Sequence, residues 1–284
     1  LAGSGGGPAP GGAPKGIDVA ALMSGGGSGS GPAQASGPDE TKAFVPLCLR
    51  NDGVLYEDES LQLGVRGDFQ GAQGRLALFY GNKGGGPLVN FTATVEGVPG
   101  LVVQSSTVPQ AVQPHTQLQQ MLQLECRAAF AKPPSLRVSL MASSGKQLRL
   151  HLALPVVPTK FCAPATGLEA PLFFSRWNAL GGAPNEAQKV AALKQKPESM
   201  ALFNELAAKG LKLAVPQGVD PSPTNLVAAG TVSVKGKAPA DWPPVLLRIE
   251  INVPAAQARV TVRSPEPPLS SLVLRLVGET VCVP

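Results

Sequence analysis

Between residues 61 and 155, apolar and polar residues alternate along most of the chain. In LRVSL and LRLHLAL, leucines alternate with Arg, Ser and His. Successive side chains of a strand point to opposite faces, so each such segment buries one face and exposes the other. Turns at RG, GNKGGGP, EGVPG, KPP and SSGK separate the segments. Many short alternating strands with such turns predict a β-sandwich, which we place at residues 44–160.

The pattern is mixed from residue 161 onward. Helical spacing predicts helices over 173–180, over 186–195 with Val190 and Leu193 inward, and over 197–210, opened by Pro197 and Glu198. Strands are predicted in LKLAV, LVAAGTVSV, VLLRIEINV and ARVTVRS, and 269–277 fits either a helix or a strand. Residues 161–284 are therefore predicted to form an α+β lobe with a mostly antiparallel sheet.

The first 43 residues are predicted to form a flexible linker. Of the 33 glycines, 13 lie in residues 1–37, which carry two charged residues, Lys15 and Asp18. Such a segment buries too little apolar surface to offset its chain entropy. The chain begins at Leu1, which indicates a piece of a longer protein.

Composition argues against several classes of function. The net charge of +5 is not concentrated in a basic run, as nucleic-acid-binding domains require. Cys48, Cys126, Cys162 and Cys282 are far apart, and with His115 and His151 as the two histidines they form no zinc spacing. We expect free thiols in a reducing cytosol. The sequence contains no apolar stretch long enough to span a membrane and no signal peptide.

No catalytic constellation is evident, and no cofactor is expected. A serine triad would need His115 in a QPHTQ turn or His151 between leucines, and both positions are typical of surface or strand histidines. Neither a GxxxxGK[ST] phosphate loop nor a GxGxxG after a strand occurs.

Two patterns point to a docking surface. Phe173 and Trp177 share one side of a predicted helix, and Phe174 lies about 100° away. In the predicted hairpin from 245 to 263, four charged residues share the exposed face: Arg248, Glu250, Arg259 and Arg263. If the outward aromatic side adjoins these arginines, a pocket for a short aromatic and acidic peptide results. A plain core helix beside a solvated charged face remains the alternative.

The motifs NDGVLYEDESLQLGVRGDF, GRLALFYGNK, FFSRW, DPSPTNLVAAG and LLRIE occur in this order over residues 51–263. Together they resemble the C-terminal appendages (ears) of the alpha-adaptins, the large subunits of the clathrin adaptor at the plasma membrane. The resemblance implies an immunoglobulin-like β-sandwich followed by a platform, a five-stranded antiparallel sheet with flanking helices. The glycine-rich start then resembles the end of the hinge.

The resemblance also implies a function. Such appendages are non-enzymatic hubs on the cytosolic face of coated pits. They recruit endocytic accessory proteins through Asp-Pro-Phe/Trp and Phe-x-Asp-x-Phe motifs on the platform and Trp-x-x-Phe motifs on the sandwich. The implied partners also include the rest of the adaptor and, indirectly, the clathrin coat, with no nucleic acid and no membrane insertion.

The family's site residues match this sequence position by position. The platform set is Phe173, Phe174, Trp177, Glu186, Arg248, Glu250, Arg259 and Arg263. The sandwich set is Phe79, Gly81, Gln117 and Arg66, and the last stands where the animal family has lysine. The segment VKGKAPADWPP with Trp242 is longer than the family's loop, and GETVCVP departs from the family's ending. Alternatives are the appendage of another coat complex and a basic nucleic-acid-binding module.

Overall fold

The N-terminal lobe of the computed structural model is a sandwich of two antiparallel sheets. The structure describes residues 37–196 and 200–283, which belong to one compact unit. One sheet has the order β1-β2-β3-β6-β5 and the other β4-β7-β8. The strands are β1 (Asp52–Glu57), β2 (Leu61–Gln70), β3 (Gln73–Asn82), β4 (Val89–Glu96), β5 (Leu101–Ser105), β6 (Gln117–Cys126), β7 (Ser135–Met141) and β8 (Gln147–Ala153). The predicted sandwich is confirmed.

A short helix that the sequence analysis did not predict, α1 (Phe44–Leu49), precedes the first strand. The buried ammonium of Lys160 holds its C-terminal end. It donates hydrogen bonds to the carbonyl of Leu47 at 3.0 Å, to the carbonyl of Arg50, and to Oδ1 of Asn51 at 3.2 Å. The last carbonyls of a helix have no partner within the helix, so this lysine satisfies groups that burial would otherwise leave unpaired.

Burial, with the nearby charge of Lys212, lowers the pKa of Lys160 from 10.5 to about 8. The folded state therefore releases this proton at lower pH than the unfolded chain, and stability should rise with pH across that window. Relative to Lys160→Gln, which has no titrating group here, the wild type should gain about 1–3 kcal/mol between pH 8 and pH 10.5. Urea unfolding at both pH values measures this difference. A difference that does not change with pH would contradict the shift.

The C-terminal lobe is a five-stranded antiparallel sheet with the order β10-β13-β12-β11-β9. Its strands are β9 (Cys162–Pro164), β10 (Glu186–Ala192), β11 (Asn225–Val232), β12 (Pro244–Asn252) and β13 (Gln257–Arg263). Its helices are α2 (Ala170–Ala179), the single turn α3 (Ala201–Glu205), which continues as a π-helical turn (Leu206–Gly210), and α4 (Pro267–Val281). The predicted platform is confirmed, and 269–277, left open by the sequence, is helical.

The predicted helix over 186–195 is wrong, because residues 186–192 form β10 at the edge of the sheet. Every residue of β10 pairs with β13, from Glu186 opposite Arg263 to Ala192 opposite Gln257. Val190, predicted to face inward, is 56% exposed, whereas Leu193 is buried as predicted. The segment is rich in Glu, Ala, Gln and Lys, which favour helix, and tertiary pairing overrides that weak preference.

Two further predictions differ in detail. The predicted strand LKLAV forms a single bridge, Ala214 opposite Ala229, although its leucines are buried. Of the predicted helix over 197–210, residues 197–199 lie outside the described residues, and the rest is helical from Ala201 to Gly210.

The chain enters the folded unit beside α4. The Asp39 N–H donates to the carbonyl of His151 at 2.7 Å, and Arg275 of α4 donates to Glu40 at 3.0 Å. Residues 1–36, which hold most of the predicted linker, lie outside the described residues. The linker and the boundaries at 43 and 160 therefore stay predictions.

The four cysteines are free, as predicted. All four are also buried, and burial raises the pKa of Cys48 to about 12. Within residues 37–196 and 200–283, no helix is long and apolar enough to cross a membrane. The same residues contain no group of three His, Cys, Asp or Glu side chains placed to hold a metal ion.

Candidate functional site

Helix α2 packs on one end of a face of the C-terminal sheet. The predicted arginines lie on the same face. Phe173 and Trp177, one turn apart, stack with ring centroids 5.7 Å apart and an angle of 22°. Both rings belong to a small apolar cluster with Leu168, Val219, Val227, Ala229 and Leu246. This cluster is separate from the main core, so α2 is attached to the sheet by its aromatic side.

The three aromatic rings of α2 differ in how much of their surface is exposed. Phe173 is fully buried and Trp177 is 7% exposed, so the side of the helix that they share serves the cluster. Phe174 is half-buried and meets Phe173 edge-on, with ring centroids 5.3 Å apart. Phe174 is therefore the most open of the three rings, and Trp177 offers only a small part of its surface.

Strand register places the charged residues on the same face as this cluster, and we call that side of the sheet the platform face. On β12, Leu246, Arg248 and Glu250 alternate with residues buried in the main core. Three rows cross the face: Glu186–Arg263–Leu246–Ala229, Gln188–Thr261–Arg248–Val227 and Val190–Arg259–Glu250–Asn225. Packing of α2 on Leu246, Ala229 and Val227 covers the first row and the end of the second. The third row is open beyond the helix.

Arg263 lies over the indole of Trp177. Its guanidinium carbon is 4.2 Å from the indole centroid, and its Nη1 donates to the carbonyl of Trp177 at 2.6 Å. Nε and Nη2 donate to Oε2 of Glu186 at 2.7 and 2.6 Å. A cation over an aromatic face is attracted by the ring quadrupole. Arg263 is thus fixed, and its charge is already paired.

The other two arginines form a chain of ion pairs. Arg248 Nε is 2.9 Å from Oδ2 of Asp220, and its Nη1 is 3.4 Å from Glu250. Arg259 reaches Glu250 only at 3.5 Å, and 54% of its side chain is exposed. Three guanidinium groups thus face three carboxylates, and Arg259 is the cation held most loosely. A carboxylate arriving from solution meets the least competition there.

Asp220, which sequence analysis did not assign to the site, organises this arrangement. Its side chain is 3% exposed and accepts hydrogen bonds from the Ser222 N–H at 3.1 Å, from Asn225 at 3.0 Å and from Arg248. Burial raises its pKa, but these hydrogen bonds outweigh burial, so the pKa lies below the ordinary value of 3.8. The sequence DPSPTN carries a turn signal at this position, which is the one cue to such a role.

The sandwich residues also share one face. On β2, β3 and β6 the rows are Gln62–Gly81–Gln117, Gly64–Phe79–Gln119 and Arg66–Ala77–Met121. Leu63, Leu78 and Tyr80 point the other way, into the core. Arg66, Phe79, Gly81 and Gln117 therefore all lie on the outward face of the five-stranded sandwich sheet.

A shallow apolar patch surrounds Phe79. The ring lies over Gly64, where an added Cβ would be 3.7 Å from Cβ of Phe79. Val54 next to Gly64 is 42% exposed, and Met121 near Arg66 is 36% exposed. Both large apolar side chains were missed by sequence analysis, because their exposure depends on the register of three strands.

A two-sheet sandwich followed by a five-stranded platform with one helix-covered, charged face defines an appendage of the adaptin type. The family model described as "Adaptin C-terminal domain" matches residues 51–155, and "Alpha adaptin AP2, C-terminal domain" matches residues 160–281. The chain belongs to the alpha-adaptin C-terminal appendage family. Appendages of this family are protein-interaction modules and not enzymes.

Curated relatives agree with this assignment. AP-2 complex subunit alpha-2 of Dictyostelium discoideum is 34% identical over 87% of this chain and 25% of its own length. AP-2 complex subunit alpha-2 of Arabidopsis thaliana is 33% identical over 80% of the chain and 22% of its length. AP-2 complex subunit alpha of Schizosaccharomyces pombe is 28% identical over 78% and 24%. The chain thus spans about a quarter of the length of these relatives.

Proposed function

We propose that this chain is the appendage of a clathrin adaptor and acts in endocytosis as a non-enzymatic interaction hub. Its platform face would bind Asp-Pro-Phe/Trp and Phe-x-Asp-x-Phe motifs in the disordered tails of accessory proteins. Its sandwich face would bind Trp-x-x-Phe motifs. The rest of the adaptor would hold it at the cytosolic side of coated pits, with the clathrin coat as an indirect partner. Similarity to AP-2 alpha subunits supports this role.

The observation that carries the platform proposal is the exposed guanidinium of Arg259 on the face that α2 covers only in part. A peptide of a few residues places an aromatic ring against the α2 side and a carboxylate on the arginine. Small contacts of this kind reach a Kd of about 10–100 μM, or about 5.5–7 kcal/mol. Several motifs on one tail meeting several tethered appendages raise the avidity by about 10²–10⁴.

The nucleic-acid alternative is not favoured by the charges. Each arginine of the platform face has a carboxylate within 3.5 Å. Carboxylates interleaved with the arginines repel phosphates, and little positive potential remains for a polyanion.

Arg259→Glu is expected to weaken binding of a single Asp-Pro-Phe peptide at least tenfold, because it reverses the one loosely paired charge. Calorimetry on the full chain measures this Kd. Lys189→Glu is the matched control, since Lys189 is an exposed cation on adjacent β10 that points to the opposite side of the sheet. Equal Kd values for the two variants would remove the platform assignment.

The same calorimetric titration tests whether the platform face and the sandwich face bind their peptides independently. Phe79→Asp should abolish binding of a Trp-x-x-Phe peptide and leave the Asp-Pro-Phe peptide unaffected. Arg259→Glu should weaken binding of the Asp-Pro-Phe peptide and leave the Trp-x-x-Phe peptide unaffected. Loss of both peptides in either variant would mean that the faces are not independent sites.

A further inference from the structure

Two Ser-Pro dipeptides occur in the sequence, at Ser222-Pro223 and Ser264-Pro265. Ser222 is partly exposed and lies between the exposed Pro221 and Pro223, at a surface cavity of about 340 Å³. Ser264 is fully buried, and its hydroxyl accepts a hydrogen bond from the Glu266 N–H at 3.3 Å. Ser222 therefore reaches the surface of the protein, and Ser264 does not.

Ser222 is coupled to the platform face through one buried carboxylate. Its N–H donates to Oδ1 of Asp220, and Arg248 donates to Oδ2 of the same side chain. The Ser222 hydroxyl itself contacts only the hydroxyl of Thr224, at 3.0 Å, among the hydrogen bonds of the described residues. A group added to this hydroxyl can therefore be attached without breaking the hydrogen bond to Asp220. It would lie close to the Asp220–Arg248 pair.

We propose that Ser222 is a modification site for a proline-directed serine kinase, and that phosphorylation weakens peptide binding at the platform face. The inference rests on the proposed function. The Ser222 hydroxyl oxygen attacks the γ-phosphorus of ATP, so an O–P bond forms and the bond from the γ-phosphorus to the β–γ bridging oxygen breaks. ADP leaves with that oxygen, and the hydroxyl proton passes to the base of the kinase.

The phosphate acts through charge. At neutral pH it adds nearly two negative charges beside Asp220. It competes with Asp220 for Arg248 and repels the acidic residue of an arriving motif. Since the three carboxylates of the face already balance its three guanidinium groups, the added charge makes the face net negative. Binding of an acidic peptide then becomes weaker, whichever partner Arg248 takes.

The experiment treats the full chain with a purified proline-directed kinase, ATP and Mg²⁺, and locates phosphate by mass spectrometry. Calorimetry then compares the Kd for the Asp-Pro-Phe peptide before and after treatment. We expect about one phosphate at Ser222, none at Ser264, and a Kd at least about tenfold higher. In Ser222→Ala, the same treatment should leave the Kd unchanged.

Failure to phosphorylate Ser222, or full phosphorylation with an unchanged Kd, overturns the inference while leaving the proposed function in place. Untreated chain that does not bind the peptide overturns the proposed function, and the inference with it. A raised Kd that also appears in treated Ser222→Ala assigns the effect to another residue and overturns the role of Ser222.

Discussion

Trp177→Ala is expected to abolish binding at the platform face and to lower the free energy of unfolding by about 3–5 kcal/mol. The indole is 7% exposed, stacks on Phe173 and carries the guanidinium of Arg263. Its removal leaves a cavity under α2 and frees Arg263 from its position. Binding and stability therefore fall together, unlike in Arg259→Glu, where only binding falls.

Urea unfolding and calorimetry, performed well below the melting temperature, measure the two effects of Trp177→Ala. Trp242→Ala is the matched control, because this second tryptophan is partly exposed in a loop and its Nε1 donates to the carbonyls of Val234 and Lys237. It should cost less stability and leave the peptide Kd unchanged. Wild-type peptide affinity in Trp177→Ala would refute the platform site, and wild-type stability would refute the packing role.

Asp220→Asn is expected to lower the free energy of unfolding by about 2–4 kcal/mol at pH 7. The substitution leaves Arg248 without its buried partner and replaces one acceptor by a donor beside the Ser222 N–H.

The effect of Asp220→Asn should depend on pH with a definite sign. The folded pKa of Asp220 lies below 3.8, so its ionised form stabilises the protein fully above that pH. The contribution is lost as the pH falls through the lower folded value. Wild type and variant should therefore differ most near pH 7 and converge in acid. Asp241→Asn, at an exposed aspartate of a 3-10 turn, should differ from wild type by less than about 0.5 kcal/mol at pH 7.

Periodicity predicted the two-lobed fold because each lobe has strands with one buried face. It also placed Arg248, Glu250, Arg259 and Arg263 on one face, since alternation within β12 and β13 determines this directly. The segment 186–195 was predicted wrongly because an edge strand is poor in the β-branched residues that mark inner strands. Its residue types favour a helix, whereas its pairing with β13 makes it a strand, and this pairing is visible only in the tertiary structure.

Sequence analysis could not predict which charged side chains of the platform face pair with each other. Glu186 pairs with Arg263 across 77 positions, and Asp220 pairs with Arg248 across 28. Neither spacing has a periodic signature, so the sequence identifies candidate cations without indicating which are already neutralised. The same applies to Trp177, whose spacing indicated a shared side with Phe173 but not that this side faces the sheet.

The contact between Glu40 and Arg275 has a mechanical consequence. Helix α4 packs on the side of the platform sheet opposite α2, through Leu269, Val273 and Leu276. Residues 39 and 40 therefore lie behind the arginine-bearing side of the sheet. A force applied at residues 37–40 would therefore be received by strand β8 and helix α4, and not by the platform face.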